Sequence, residues 1–334
     1  MDLPFDAIEE DQPGPKWQQL FERHWPAYER WFTTPPRLDA PYYLTCLRAL
    51  RQHMPELVPT YEALVELAGG GDTAARFLSM YNPPPYLTAC SQAVINGVEP
   101  VLVRNYDYSP KLIEGAIVKT AWCKPVIAMS DCLWGVLDGI NEDGLAVSLS
   151  FGGRRAVGKG FGVPLVLRYV LEVCSTTQQA AEVLMRIPVH MSYNVTVADS
   201  AGRFLTAYLA PDRAPQVRPD AVSTNHQDEP EWHEHAKATS TLEREDYLLK
   251  RLAQPNFDAV ALVESFLRPP LYSTALDQGF GTLYTAVYGT RSRSAEYRWP
   301  GMRLRESFDD FHEAQVTVRF ERVHALAHAK RRAR

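Results

Sequence analysis

The chain has 334 residues, enough for one large domain or two ordinary ones, and its 46% hydrophobic and 22% charged residues are those of a globular protein with a full core. A formal net charge of −5 excludes a general attraction to nucleic acid or anionic membrane. The five cysteines, Cys46, Cys90, Cys123, Cys132 and Cys174, are scattered and form no Cys-x-x-Cys pair. A disulfide framework or a structural zinc site is therefore not expected, and a reducing cytoplasm is.

The N-terminus, Met1 to Asp11, is acidic and lacks the basic and apolar regions of a secretory signal, and it reads as a frayed tail. No run of about 18 apolar residues follows, so no membrane span is expected. From Pro15 to Phe32, Trp17, Leu20, Phe21, Trp25, Tyr28 and Trp31 fall at helical spacing, with Pro26 as an expected kink. Further helices are predicted at 42–53, 59–67 and 73–80, the last starting from Asp72 as its N-cap. Residues 1–89 thus read as a helical N-terminal segment with almost no strand signal.

At Leu87 the pattern changes. Residues 87–95, 99–107, 115–121, 125–130, 133–138 and 144–150 read as short strands rich in Val, Ile and Leu, separated by turn signals such as Asn96-Gly97. Two helices are expected at 164–173 and 176–187, then strands at 193–198, 203–209 and 221–224. Helices at 242–252 and 257–267 precede late strands at 282–288, 295–299 and 314–320. Strand runs with paired helices between them predict an α+β fold of two sheets and two helix layers. The core is placed at 90–320, and 321–334 is a basic C-terminal tail, expected to be solvated.

Cys90, at the head of a strand, is the sharpest candidate for chemistry. A thiol is a strong nucleophile as a thiolate, which needs a base or a positive charge nearby. Arg104 and Asp107 lie on the next strand, and a two-residue turn at Asn96-Gly97 folds that strand back alongside Cys90. Three apart, the two charges face opposite sides of a regular strand, so both reach the thiol only if the strand bends or ends near Tyr106. The plainer reading is a core cysteine beside a local ion pair. The other four cysteines read as core, with Cys132, after Asp131 in a turn, the most exposed.

Four motifs in order carry a resemblance: Ala89-Cys90-Ser91, Arg104-Asn105-Tyr106-Asp107-Tyr108, Asp138-Gly139-Ile140-Asn141-Glu142-Asp143-Gly144-Leu145, and Thr224-Asn225-His226. Together, over about residues 87–300, the chain resembles the N-terminal-nucleophile cysteine hydrolases. The nearest branch is that of isopenicillin N acyltransferase-like proteins, related to choloylglycine hydrolase, penicillin V acylase and acid ceramidase. The resemblance implies a four-layer αββα sandwich of two mostly antiparallel sheets with the helical segment added in front. It implies cleavage of the Ala89–Cys90 bond, with Cys90 as nucleophile and its freed α-amino group as base. It implies that Asp107 and Arg104 orient the nucleophile, that Asn225 and Asn141 line the oxyanion hole, and that Arg244 supports the site.

The implied activity is hydrolysis or acyl transfer at a linear, non-peptide or small-peptide amide through a thioester on Cys90, calling for no cofactor and no metal. The substrate is a small-molecule acyl-amide or acyl-thioester. The cleaved N-terminal chain, rich in aromatics at helical spacing, is expected to stay bound as one half of a heterodimer, with homo-oligomerisation left open. Ala89, where close relatives often carry glycine, is a departure at the cleavage site. The loops 151–163 and 226–239 are expected to wall the acyl pocket. Two other classes stand beside this one. His226, His233 and His235, in a run rich in carboxylates, are ligand types for a metal-dependent hydrolase, although their spacing fits no closed zinc motif. The helical aromatics, with an inert Cys90, are also compatible with a binding protein on the same fold.

Overall fold

The computed structural model describes residues 1–320, apart from 36, 38, 39, 87 and 88. The basic tail expected at 321–334 lies outside the described residues.

The chain enters the fold as a strand, β1 (Asp2–Glu9), where a frayed tail was expected. Leu3, Phe5 and Ala7 fall at alternate positions, and Phe5 and Ala7 are buried. That period-2 pattern is a strand signal hidden by the carboxylates around it, Asp2, Asp6, Glu9, Glu10 and Asp11. β1 runs parallel to β4 (Ala116–Ala121) on one side and antiparallel to β15 (Ala314–Arg319) on the other. The N-terminal segment is therefore built into the sheet, not laid on it.

Four helices follow: α1 (Pro15–Thr33), α2 (Tyr43–His53), α3 (Val58–Leu67) and α4 (Asp72–Leu78). α1 runs unbroken past Pro26, which lies on its exposed side, where water can serve the carbonyl that loses its partner. Its inner face is aromatic: Trp17 stacks on Phe21 at 5.4 Å, and Phe21 on Trp25 at 5.1 Å. Gly71, and not Asp72, occupies the N-cap of α4.

The remaining elements are β2 (Ala89–Ile95), β3 (Val101–Tyr108), β5 (Pro125–Asp131), β6 (Gly135–Asn141), β7 (Ala146–Phe151), α5 (Val163–Val173), α6 (Thr177–Arg186), β8 (Tyr193–Ala198), β9 (Phe204–Leu209), β10 (Gln216–Arg218), β11 (Val222–Ser223), α7 (His233–Ala238), α8 (Thr241–Leu252), α9 (Ala259–Ser265), β12 (Gly281–Gly289), β13 (Ser294–Trp299) and β14 (Met302–Ser307). Among the described residues they make a nine-stranded sheet, β10-β9-β8-β7-β6-β5-β4-β1-β15, and a six-stranded sheet, β11-β2-β3-β12-β13-β14. β1–β4 is the parallel pair; the other pairings are antiparallel.

The two sheets face each other through β2 and β7 and share one large core. α5 packs on β6 outside the larger sheet. α8 and α9 cover the smaller one, with Leu248, Leu262 and Phe266 against Ala93, Ile95 and Val103. This is the expected αββα order. The strands β10 and β14 and the helix α7 were not predicted; each is short or strongly polar, so the periodic signal is weak.

The position of β1 makes a first prediction. Phe5 is fully buried, with its ring 4.8 Å from that of Trp299 and 6.4 Å from that of Tyr284. Phe5→Ala is expected to destabilise the protein by about 3–5 kcal/mol, read as a lower denaturation midpoint in urea.

Candidate active site

β2 and β3 fix the site. They pair with Cys90 opposite Tyr106, Gln92 opposite Arg104 and Ala89 opposite Asp107. The connection between them spans Asn96 to Pro100 and is longer than the expected two-residue turn. Alternation along β2 sends Cys90 and Gln92 into the space between the sheets and Ala89 and Ser91 to the outer side, toward α8. Gln92 accepts from Ser148 of the facing sheet, in keeping with that phase.

β3 neither bends nor ends near Tyr106, so Arg104 and Asp107 do lie on opposite faces. The inner face holds Arg104, fully buried, whose Nη2 donates to Cys90 Sγ at 3.1 Å. Its Nε donates to the Leu149 carbonyl at 3.0 Å, and its Nη1 to Asp138 and to the Tyr284 hydroxyl at 3.1 Å. Asp138 is held in turn by the hydroxyls of Tyr284, at 2.6 Å, and Tyr288. Burial works against the Arg104 charge, but Cys90, Tyr284 and Asp138 outweigh it and hold its pKa well above the ordinary range.

The outer face holds Asp107, which accepts from the Thr282 hydroxyl at 2.6 Å and faces Arg244 Nη1 at 3.5 Å. A bulge between Thr282 and Tyr284 of β12 changes the phase of that strand. Thr282 is thereby turned to Asp107 on one face and Tyr284 to Arg104 on the other. Burial pushes the Asp107 carboxyl above its ordinary range, and Arg244, the Thr282 hydroxyl and Arg104 pull it part of the way back.

Arg244, on α8, joins the outer group. Its Nη1 donates to the Cys90 carbonyl and to Ser91 Oγ, both at 2.7 Å, and its Nη2 to Asn225 Oδ1 at 2.7 Å. Asn225 Oδ1 also accepts the Cys90 backbone N–H at 2.9 Å, and Asn225 Nδ2 donates to the Phe151 carbonyl at 3.2 Å. The Thr241 hydroxyl receives the Asn225 N–H at 2.7 Å. Gly153, at φ +71°, passes so close that a Cβ there would lie 2.4 Å from the Asn225 carbonyl oxygen, so glycine is required for this seat.

The structure thus brings Cys90, Arg104, Asp107, Asn225 and Arg244 together. It does not bring Asn141. That side chain donates to the carbonyls of Leu171, at 2.9 Å, and Cys174, at 2.7 Å, and accepts from the Leu145 N–H at 3.0 Å. Asn141 closes the β6–β7 turn and satisfies the last carbonyls of α5, so its amide is fully used far from the sulfur. Asp138, three residues earlier on the same strand, is the member of that motif that reaches the site. Asp138, Ser91, Thr282 and Tyr284 were not singled out by sequence; only Asp138, a carboxylate within an apolar strand, left a signal that could have been read.

The histidine run does not converge. His226 lies 3.2 Å from Glu245 and 3.0 Å from Thr241 Oγ1, whereas His235 packs on Phe151 and Trp232. Among the described residues no group of three metal-ligating side chains forms, so the metal-dependent alternative has no ligand set. Of the other cysteines, Cys123 is the exposed one, and Cys132 is buried, contrary to expectation. A cavity of about 610 Å³ opens on the outer face, lined by Ala89, Asp107, His235, Arg244, Leu271 and Phe280. α7 and the turn after it line this cavity, and 151–163 does not.

With this geometry stand the comparisons with known proteins. Residues 95–303 match the family model of acyl-coenzyme A:6-aminopenicillanic acid acyl-transferase, more than half of the chain. The chain belongs to that family. The match begins just past Cys90 and includes Arg104, Asp107, Asn225 and Arg244. No curated protein matches the chain. Similar solved structures include a mutant conjugated bile acid hydrolase from Clostridium perfringens, at 11% identity and TM-score 0.46, covering 70% of this chain and 97% of that one. Another is a penicillin V acylase from Agrobacterium tumefaciens, at 14% identity and TM-score 0.40, covering 63% and 82%. A third is the Caenorhabditis elegans ortholog of N-acylethanolamine-hydrolyzing acid amidase, at 19% and 0.43, covering 69% and 100%. Membership places the chain among the N-terminal-nucleophile amidohydrolases and acyltransferases. Among the described residues no helix is long and apolar enough to cross a membrane.

A carboxyl beside this site has a stability consequence. Burial, and then the neighbouring Glu114, push Asp131 up to about 7 from its ordinary 3.8. A group whose folded-state pKa is raised binds its proton more tightly when folded, so it stabilises at low pH and that contribution is lost as pH rises. The thermal midpoint is expected to fall between about pH 4 and pH 7, and Asp131→Asn to flatten that fall.

Proposed function

We propose that the protein is an autoprocessed cysteine amidohydrolase or acyltransferase that works on a linear amide through a thioester on Cys90. The observation that carries this is the double hold on one residue: Arg104 on the Cys90 sulfur, Asn225 and Arg244 on its backbone nitrogen and carbonyl. A core cysteine has no use for two buried guanidiniums.

In processing, Sγ attacks the Ala89 carbonyl carbon. The C–S bond forms, the Ala89–Cys90 C–N bond breaks, and the nitrogen keeps its hydrogen and takes the thiol proton to become the α-amine. Water then cleaves the thioester and leaves a carboxylate on Ala89. Asn225 Oδ1 already accepts from that nitrogen and keeps it in place as the new terminus, while Arg244 fixes the carbonyl on its other side. Asp107 holds Arg244 and reaches the amine only through it until Ala89 withdraws.

In turnover, the α-amine takes the thiol proton as sulfur attacks the substrate carbonyl, and it returns the proton to the leaving amine. Its pKa near 8 suits both duties. Water or an acceptor amine then resolves the thioester. Arg104, on the sulfur's own face, stabilises the thiolate between these steps. Asn225 Nδ2 serves the oxyanion if it leaves the Phe151 carbonyl, a donor worth about 3 kcal/mol.

The cleaved N-terminal chain stays with the rest as a heterodimer. β1 lies between β4 and β15 with pairs on both sides, and the Met1 ammonium donates to the Phe320 carbonyl at 2.9 Å. The test is intact mass in denaturant beside size exclusion under native conditions. Two masses split at Ala89–Cys90 with one native peak support the reading; one uncut, catalytically active chain overturns it.

A further inference from the structure

The Cys90 thiol points into the space between the sheets, so a substrate held for attack has its far end on that inner side. The outer cavity at Ala89 and Asp107 does not provide this. An open cavity of about 150 Å³ does, at the end of the inter-sheet space, between α1 and the β3–β4 connection. Its walls include Tyr28, Trp31, Tyr86, Tyr106 and Tyr108, and Glu114 and Asp131 close its floor. Tyr106 is the strand partner of Cys90 and carries the Arg104 guanidinium 4.8 Å above its ring. One aromatic ring thus separates the cavity from the sulfur–arginine contact.

The two floor carboxyls differ. Glu114 is fully occupied: it accepts from Tyr28, from the Ser130 hydroxyl at 2.8 Å and from the Leu133 N–H at 2.7 Å. Asp131 accepts from the Cys132 thiol, a weak donor at 3.4 Å, while the Cys132 N–H goes to the Tyr28 hydroxyl at 3.0 Å. A buried carboxyl so poorly served is short of a strong donor. His24 Nε2, at the α1 side of the cavity, also has no hydrogen-bond partner among the described residues. Two cations act on this floor: Arg104, behind the Tyr106 ring, which pulls the Asp131 carboxyl part of the way down, and Lys111 at the rim, which is exposed and makes no ion pair with the floor. Aromatic faces around a carboxyl are the surroundings that recognise a cation. A cavity of about this volume takes a group the size of one benzene ring.

We propose that this cavity is the subsite for the non-reacting end of the substrate and that it takes a compact ammonium group. Asp131 is its counter-charge, and Trp31, Tyr106 and Tyr108 are its cation–π wall. The substrate class is then an amide that carries an amine or quaternary ammonium away from the scissile bond. The substrate part of this rests on Cys90 as the nucleophile.

Binding is tested apart from catalysis. The full chain with Cys90→Ala, uncut as in the structure described, is titrated by calorimetry with tetramethylammonium and with tert-butanol, an uncharged molecule of similar size. Tetramethylammonium is expected to bind roughly tenfold tighter. Asp131→Asn should abolish the difference, and Lys111→Gln should enlarge it. Equal binding of the two probes, or a preference that survives Asp131→Asn, overturns the proposal. If Asp131→Asn fails to fold, Trp31→Leu carries the same expectation. The second arm uses the unsubstituted protein and two amides that differ only in a trimethylammonium or a tert-butyl end. A roughly tenfold higher kcat/KM for the cation supports the subsite. Turnover of both without preference overturns the subsite and leaves the amidase reading intact. Preferential cation binding with no turnover of either amide supports the cavity and counts against the amidase reading.

Discussion

Cys90→Ala is expected to leave a single uncut chain and to lower amide turnover by on the order of 10⁴-fold or more, since under the proposed function the nucleophile and, through the uncut bond, the base disappear together. The fold should survive. The change removes one buried sulfur, and Arg104 keeps Asp138, the Tyr284 hydroxyl and the Leu149 carbonyl as partners. Circular dichroism and a urea midpoint close to those of the parent would show that the loss is chemical. Cys90→Ser keeps a nucleophilic atom in place but with a hydroxyl, so slow processing with little turnover is the expected intermediate result. Intact mass over days distinguishes the two variants. Cleavage at Ala89–Cys90 in the alanine variant would mean that another group, or a contaminating protease, cuts the chain, and the assignment of Cys90 would fall with it.

The site was legible in sequence where side-chain chemistry and strand order sufficed, and not where three-dimensional phase decided. Cys90, Arg104, Asp107, Asn225 and Arg244 do meet. The objection that Arg104 and Asp107 face opposite sides of β3 was right, and the structure keeps it: one reaches the sulfur, the other the far side through Arg244. The bulge in β12 that gives each its own hydroxyl partner has no marker in Thr282-Leu283-Tyr284. Asn141 was misplaced because an asparagine at a strand end looks the same in sequence whether its amide serves a reaction or a helix terminus. β1 was missed because acidic residues around Leu3, Phe5 and Ala7 resemble a solvated end. What places that segment in the sheet is its pairing with β4 on one side and with β15, more than 300 residues away in sequence, on the other, and no local pattern carries such pairings.

Arg104→Met is expected to be the most damaging single change outside Cys90, and in two separable ways. The guanidinium is fully buried, as is Asp138. Removing it leaves the Asp138 carboxylate with the hydroxyls of Tyr284 and Tyr288 and no cation. Breaking such a pair by deleting one partner costs about 3–5 kcal/mol, because a charge is left buried and uncompensated. The same change takes a charged donor from the sulfur's face, for which a loss of processing and turnover on the order of 10²-fold is expected. Arg104→Lys keeps the charge, but one ammonium has no planar fork to span Asp138, the Leu149 carbonyl and Sγ, so it should recover only part of either loss. The double variant Arg104→Met with Asp138→Asn removes the orphaned charge. Its urea midpoint should move back toward that of the parent while processing, followed by intact mass, stays slow. If stability and processing return together, Arg104 acts through folding alone, and the thiolate has its charge partner elsewhere, with Arg244 behind the Cys90 carbonyl the next group to test.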